Sequence, residues 1–310
     1  MAHGRSIRIY LADGSASGIR HAEVVNWTGQ AIVCPRTRVA ELKDWEESQR
    51  PGVYFLMGDD PNGSRPLVYV GEAENVYDRL KQHAKDEKKE FFDQVLLFTS
   101  KDANLTKAHV KYLESRIVEL VKTVDRVNLS NGNTPPRPSL PRPDRAAMEE
   151  FLGPARLLMA ALGFFALQAL SKGTTTVEDA HTNPSEGPSG PLADTLLHLQ
   201  IPKRHVKATG LSTDEGFVVQ KGSVGASAIR DSLTKGWLAI RNELAEDGTV
   251  VVEGPIIRFM RDALFRSSSA AASIVSGGKW GGPDAWRTAE GIRLKTLEED
   301  LLGNAETTTT

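Results

Sequence analysis

Two segments carry side chains that could act together on a substrate. Arg79 and His83 stand four residues apart, so in a helix they project from one face and bring a cation and an imidazole together. Farther along, Glu114 is the first acid of its helical segment, and Lys107 and Lys111 precede it on roughly the same face. One inward carboxylate among apolar neighbours suits a hard cation.

Tyr54, Tyr69 and Asn128 are further candidates, but each candidate also has a purely structural interpretation. Tyrosines are common on half-buried strand faces. Asn128 could hydrogen-bond backbone or substrate where the chain turns back. Arg79 could be a solvated helix residue, and Glu114 could simply pair with a lysine one or two turns away. Taken singly, these residues indicate no function.

Hydrophobic patterns predict the elements that would position these side chains. They indicate, in order, two strands, a helix, a strand and a helix, at 53–57, 67–70, 76–85, 92–99 and 106–123. The Gly, Asp, Pro and Asn residues between the first two strands are typical of a hairpin loop. Asn75 is suited to cap the first helix. The order predicts an α/β (α+β) unit, a small mixed or antiparallel sheet flanked by helices.

Read together, these residues resemble the GIY-YIG nuclease superfamily in order, spacing and type. Gly52-Val53-Tyr54 and Tyr69-Val70-Gly71 correspond to the name-giving triplets, with Val for Ile in both. In that family an arginine eight residues after the second triplet, a histidine one turn later, a glutamate on the next helix and an asparagine beyond it recur. The matching residues here are Arg79, His83, Glu114 and Asn128. The resemblance covers about a quarter of the chain, and the loop between the triplets is longer than usual.

The resemblance implies a metal-dependent endonuclease that hydrolyses phosphodiester bonds in DNA, with RNA as a further possible substrate. Tyr54 or Tyr69 would orient or deprotonate water, Arg79 would hold the scissile phosphate, and His83 would relay the proton. Glu114 would be the protein ligand of Mg²⁺ or Mn²⁺. Because the ordinary pKa of tyrosine lies near 10, the role of base requires a neighbouring positive charge or a second proton acceptor.

The charge balance supports a different class of function, a nucleic-acid-binding or interaction protein with this fold and little or no cleavage activity. The net charge is -2, and residues 52–128 hold 12 basic and 13 acidic side chains. Residues 199–295 are mildly basic, with 14 basic against 10 acidic side chains. Tight nonspecific binding usually requires a basic excess. The candidate nucleic-acid contacts are Lys107, Lys111 and Trp280.

Composition divides the chain into six predicted segments. These are a β-rich lead-in at 1–50, the nuclease domain at 51–134, a proline-rich connector with an apolar helix at 135–170, a flexible linker at 171–195, a small α+β domain at 196–300 and a disordered tail at 301–310. In the fifth segment, a Ser-Ala-Ala helix followed by a glycine-rich turn and a tryptophan resembles a domain of unknown function common in such nucleases, without the Asn of its turn. Trp286 is expected in the core, and Trp280 either there or stacked on a base.

Cellular location and assembly are only weakly constrained. One cysteine, Cys34, excludes an intramolecular disulfide and a cysteine-based zinc cluster, so a cytoplasmic protein is expected. The apolar stretch 157–170 would reach about 21 Å as a helix, too short for a hydrocarbon core of roughly 30 Å. It is expected to be a buried helix that could continue into a strand after Gly163, with no membrane contact. Double-strand cleavage would need a homo-oligomer or two successive nicks.

Overall fold

The computed structural model describes residues 4–60, 65–170, 192 and 194–307, which form two compact units. One unit ends at Gln168, and the residues from 192 onward belong to the other. Each unit has a seven-stranded sheet and its own hydrophobic core. This confirms the α+β class and a separate carboxyl-terminal domain. The predicted linker at 171–195 lies almost entirely outside the described residues.

The first unit contains the predicted order of two strands, a helix, a strand and a helix. Its strands are β1 (Ile7–Leu11), β2 (Arg20–Val24), β3 (Gly29–Pro35), β4 (Gly52–Asp59), β5 (Pro66–Ala73), β6 (Phe92–Ser100) and β7 (Asn128–Leu129), and its α-helices are α1 (Val76–His83), α2 (Lys107–Val124) and α3 (Arg142–Ala161). Short 3-10 helices cover Arg36–Asp44, Glu46–Gln49 and Glu87–Lys89. The strand order is β1-β2-β3-β6-β4-β5-β7. All neighbours are antiparallel except β5 and β7.

The amino-terminal strands are part of this sheet and not a lead-in ahead of it. Strand β3 pairs with β6 over seven residues, from Gly29 opposite Ser100 to Pro35 opposite Gln94. The sheet that holds the triplets therefore extends across the boundary predicted at residue 50.

Helix α3 also belongs to the first unit, although the sequence places it in a connector. It begins inside the proline-rich run, because Pro143 lies in the first turn, where no backbone N–H is needed. Its residues Phe151 and Leu158 are buried in the same core as strand β4. The strand anticipated after Gly163 is absent from the described residues 164–170, which form turns and irregular structure.

Side chains of β4 alternate between the two faces of the sheet. Val53 and Phe55 join the core that α2 and α3 cover. Tyr54 and Leu56 join a second cluster that includes residues of α1, with Tyr69 packed against it. Both tyrosines of the triplets thus lie on the α1 face of the sheet.

The second unit combines strands β8 (Leu197–Ile201), β9 (Val206–Thr213), β10 (Gly216–Val219), β11 (Val224–Ala226), β12 (Val250–Glu253), β13 (Ile256–Phe259) and β14 (Ala263–Phe265) with helices α4 (Lys235–Glu246), α5 (Ser268–Ser276), α6 (Gly282–Ala285) and α7 (Leu294–Thr307). The sheet order is β12-β13-β11-β9-β10-β14, and β8 pairs with β9. Small residues let α5 approach the sheet closely, and all of Ala270–Ser276 are buried. The tail predicted to be disordered from residue 301 begins inside α7, and 308–310 lie outside the described residues.

Within the described part of the chain, no helix has the length and apolar character needed to span a membrane.

Candidate active site

The two triplets form neighbouring strands, with Tyr54 opposite Gly71 and Leu56 opposite Tyr69. The rings of Tyr54 and Tyr69 lie 6.4 Å apart between centroids. Gly71 makes this arrangement possible, because a Cβ there would come within 2.4 Å of the Tyr54 Oη and 2.5 Å of its Cζ. The glycine of the second triplet is therefore required for the ring of Tyr54 to lie across β5.

Helix α1 brings Arg79 and His83 to these tyrosines. Asn75 caps the helix as predicted, accepting a hydrogen bond from the backbone N–H of Asp78 at 3.0 Å. His83 is only 4% exposed, and its Nε2 lies 2.8 Å from the Tyr54 Oη. Arg79 interacts with the hydroxyls of both tyrosines and lowers their pKa values, against the larger effect of burial. Four of the six predicted catalytic residues thus form one cluster.

Burial dominates the electrostatics of this cluster. Burial, followed by the neighbouring Tyr69, raises the pKa of Tyr54 well above its ordinary value. Burial likewise raises the pKa of Tyr69, with a smaller contribution from Glu114. Burial and then Arg79 lower the pKa of His83 to about 4. At neutral pH both tyrosines are protonated and His83 is neutral, so its Nε2 can accept a proton from Tyr54.

Glu114 lies on α2, half-buried, and interacts electrostatically with both tyrosines. Burial and then the carboxylate of Glu72 raise the pKa of Glu114 to about 7. Glu72 is held by Lys107, whose Nζ donates to it at 2.8 Å. Glu72 was not among the predicted site residues, because no motif position in the sequence marks it. Lys111 is exposed and acts electrostatically on Glu114, where it opposes the rise in pKa as Lys107 does, and its nucleic-acid role stays a prediction.

The chemistry of these side chains fits a hard divalent cation. Glu114 and Glu72 supply carboxylate oxygens, the ligands that Mg²⁺ and Mn²⁺ prefer. Their proximity makes an ionised Glu114 unfavourable, a cost that a bound cation would offset. Among the described residues, no group of three or more His, Cys, Asp and Glu side chains could hold a metal ion. A cation here would therefore take most of its ligands from water and substrate.

Asn128 pairs with Leu67 of β5, two residues before Tyr69, and its place in the site stays a prediction. It lies on the edge strand β7, and its Nδ2 donates to Asp60 at 2.7 Å. The side chain of Asn131 hydrogen-bonds to the backbone of β5 at Val70, between Tyr69 and Gly71. Its Oδ1 accepts from the Val70 N–H at 2.9 Å, and its Nδ2 donates to the Val70 carbonyl at 2.8 Å.

Lys89 is a second residue that the sequence reasoning missed. Its Nζ lies 3.4 Å from the centre of the Tyr69 ring, a cation–π contact. Burial lowers the pKa of Lys89, and Arg79 adds to this effect. The only sequence signal is the lysine pair at 88–89, which reads as a solvated loop.

The two tryptophans of the second unit differ in burial. Trp286 is fully buried, donates its Nε1–H to the Ser268 carbonyl at 3.0 Å and packs against Phe217, as expected of a core residue. Trp280 is partly buried against the same core, and its backbone N–H is bound by Ser273 Oγ at 3.0 Å. Its nucleic-acid role stays a prediction.

Comparison with known proteins bears on the second unit. Residues 197–298 match a family described as a domain of unknown function (DUF4357). This supports the resemblance that the Ser-Ala-Ala helix and the glycine-rich turn indicate. The match does not reach the cluster around Tyr54. No curated protein and no solved structure matches the chain.

Proposed function

We propose that the first unit is a GIY-YIG-type, metal-dependent endonuclease that hydrolyses phosphodiester bonds in DNA. The observation that carries this proposal is the 2.8 Å hydrogen bond between Tyr54 Oη and His83 Nε2, in a cluster that also holds Tyr69 and Arg79, with Glu114 beside it. A phenol joined to a neutral imidazole is a means of moving a proton, and a guanidinium next to it is a means of holding a phosphate.

The tyrosines would act as a proton relay and not as ionised bases. Tyr54 is 1% exposed, whereas Tyr69 is partly exposed and so meets the attacking water. As the water oxygen bonds to phosphorus, its proton passes to Tyr69, the Tyr69 proton passes to Tyr54, and the Tyr54 proton passes to His83 Nε2. Both phenols end the step neutral, so their raised pKa values do not obstruct it. Because the pKa of His83 is about 4, the imidazolium would be short-lived and would pass the proton on to solvent.

Arg79 and Glu114 would stabilise the charge that this step develops. The exposed guanidinium of Arg79, steadied by Gln82 at 2.8 Å, would hold the non-bridging oxygens of the scissile phosphate. Glu114, with Glu72 near it, would hold Mg²⁺ or Mn²⁺. When bound there, the ion would neutralise charge on the leaving 3′ oxygen.

A protein that binds nucleic acid with little or no cleavage is the second candidate. The burial of Tyr54 and His83 favours it, because the same hydrogen bond would then serve only to satisfy two buried polar groups. The balanced charge of residues 52–128 favours it as well, since it leaves a weak field for attracting DNA.

Cleavage of plasmid and of DNA and RNA oligonucleotides with Mg²⁺, Mn²⁺ or EDTA tests the proposal. Glu114→Ala should abolish metal-dependent cleavage, and Arg79→Ala should reduce it by about 10²–10³-fold. Glu150→Ala, at an exposed glutamate of α3, is the control and should cleave normally. Undiminished cleavage by folded Glu114→Ala would remove the metal assignment. DNA binding by the wild type, with no cleavage under any of these conditions, would establish the second candidate.

A further inference from the structure

Four cationic side chains of the second unit gather around one turn. The turn is Gly277-Gly278, which ends helix α5, with Gly277 in the left-handed conformation at φ 68°. Lys279 follows it in the chain. Arg230 donates its backbone N–H to the Gly277 carbonyl at 2.8 Å, and Arg204 and Arg241 approach from the 3-10 helix after β8 and from α4.

The contacts around Gly278 show how closely these elements converge. A Cβ at this position would lie 3.2 Å from Arg230 Cδ, 3.3 Å from Ser232 Oγ and 3.5 Å from Arg204 Nη1. Ser232 Oγ also accepts the backbone N–H of Lys279 at 3.2 Å. Segments distant in sequence are therefore held together at one surface of the unit.

Two of the four cations are partly explained by the fold. Arg241 donates to the carbonyls of Ala226, Ser227 and Ile274 and so ties the loop after β11 to the end of α5. Arg204 donates through Nη2 to the Ala228 carbonyl at 2.7 Å. Its buried Nη1 has no acceptor among the described residues. The acceptors are all neutral carbonyls, which leave both positive charges in place.

The other two cations have no structural task. Arg230 and Lys279 are exposed, and the described structure gives neither side chain a hydrogen bond or an ion pair. The positive charges also act on one another. Burial and then Arg230 lower the pKa of Arg204, and burial and then Arg204 lower the pKa of Arg241. Like charges held together by the fold, and joined to no carboxylate by an ion pair among the described residues, form a site of positive potential.

We propose that this cluster is a binding site for the phosphates of a nucleic-acid backbone, with Arg230 and Lys279 making the contacts and Arg204 adding charge behind them. One guanidinium group can bind two phosphate oxygens at once, and such contacts fix the position of a protein on nucleic acid without reading the base sequence. The identity of the polyanion, the DNA that the first unit would cut, rests on the proposed function. The unit would thereby supply the basic surface that residues 52–128 do not have.

The first test removes two charges from the full-length protein. Binding of a fluorescein-labelled DNA duplex is measured by anisotropy in EDTA, at several salt concentrations. Arg230→Ala with Lys279→Ala should flatten the slope of log K against log salt by about 1.8 and weaken binding about 60-fold near 0.1 M salt, since each phosphate contact contributes about 0.9. Lys207→Ala with Lys221→Ala removes the same charge from exposed lysines near the opposite end of β11 and should leave binding nearly unchanged.

The second test changes shape and keeps charge. Gly278→Ala places a methyl group 3.2 Å from Arg230 and 3.3 Å from Ser232, so both must move by a few tenths of an ångström. It should weaken DNA binding several-fold. Gly281→Ala is the matched control, because its Cβ would meet nothing within 4 Å. Thermal unfolding of all four variants confirms that the fold is retained.

Three results would overturn the site. The first is an equal loss of DNA affinity in both charge variants, which would indicate an effect of bulk charge, and the second is no loss in either variant. The third is displacement of the labelled duplex by polyglutamate as effectively as by unlabelled DNA. Failure of the proposed function can be distinguished from failure of this binding site. If the wild type cleaves DNA and the cluster variants bind it normally, the site is wrong and the nuclease stands. If the wild type never cleaves but the cluster variants lose DNA binding, the site stands and the nuclease is wrong.

Discussion

Replacing Glu114 with glutamine should stabilise the protein at alkaline pH and abolish the proposed DNA cleavage. The pKa of Glu114 in the fold is about 7, raised from 4.5 by burial and by Glu72. The folded protein therefore holds this proton more tightly than the unfolded chain does. Stability is lost as the pH rises from about 4.5 to about 7, because ionisation favours the unfolded chain in that window. Glutamine cannot ionise and escapes the loss.

The size of the effect follows from the two pKa values. At 1.36 kcal/mol per pH unit, the difference between 4.5 and about 7 corresponds to at most about 3.4 kcal/mol. Glu114 is only half-buried, so solvent screens part of this energy, and we expect about 1–2 kcal/mol.

Calorimetric unfolding between pH 4.5 and 8.5 measures the difference in free energy of unfolding between the wild type and Glu114→Gln. Wild type and Glu114→Gln should unfold alike at pH 4.5, and the variant should gain about 1–2 kcal/mol by pH 8 in the transition of the first unit. Glu150→Gln, at an exposed glutamate, should show no such pH dependence. A difference that stays constant with pH would refute the electrostatic account of Glu114.

Magnesium provides an independent arm of the same experiment. At pH 8, Mg²⁺ at a hundred times its dissociation constant should stabilise the wild type by about 2.7 kcal/mol, since a ligand that binds only the folded state adds RT ln(1 + [L]/Kd). Glu114→Gln should gain little. Equal stabilisation of both proteins would place the ion elsewhere.

Two further substitutions test the relay and its support. Tyr54→Phe should lower turnover by about 10²–10⁴-fold and keep the DNA affinity, because it breaks the proton path between Tyr69 and His83. Single-turnover kinetics and anisotropy measure the two quantities, and a loss of affinity with unchanged turnover would contradict the relay. Gly71→Ala should displace the ring of Tyr54, because the new Cβ would lie 2.4 Å from its hydroxyl oxygen, and should reduce both cleavage and stability, the free energy of unfolding in urea by about 1–3 kcal/mol. The control is Gly132→Ala, whose Cβ would have nothing within 4 Å. Equal behaviour of the two variants would disprove the steric role of Gly71.

The local features of the first unit could be predicted because short-range chemistry determines them. The antiparallel pairing of β4 and β5 follows from two strand-forming runs that are close in sequence. The cap at Asn75 depends on one hydrogen bond, and the shared face of Arg79 and His83 depends on helical spacing. Burial of Trp286 also followed from residue type.

Features that depend on contacts distant in sequence could not be predicted in this way. Asn128 and Asn131 are three residues apart, and spacing alone does not tell which side chain hydrogen-bonds to the backbone of β5. Glu72 and Lys89 gain their importance only from neighbours that the fold brings to them. The apolar stretch 157–170 predicted a buried helix, but α3 begins at Arg142 and ends at Ala161. The pattern did not tell which core would bury the helix, since period 3.6 identifies a face and not its partner.

The pairing of β3 with β6 has a practical consequence for anyone who isolates the first unit. A fragment that begins at residue 51, where the motifs begin, would lose β1, β2 and β3 and leave β6 with a free edge. That edge runs for nine residues, Phe92–Ser100, and carries the buried side chains of Leu96, Leu97 and Phe98. Long apolar edges recruit other chains, so such a fragment would aggregate. The motif predicts where the chemistry lies, but a fragment that keeps the whole sheet must start some forty residues earlier, ahead of Ile7.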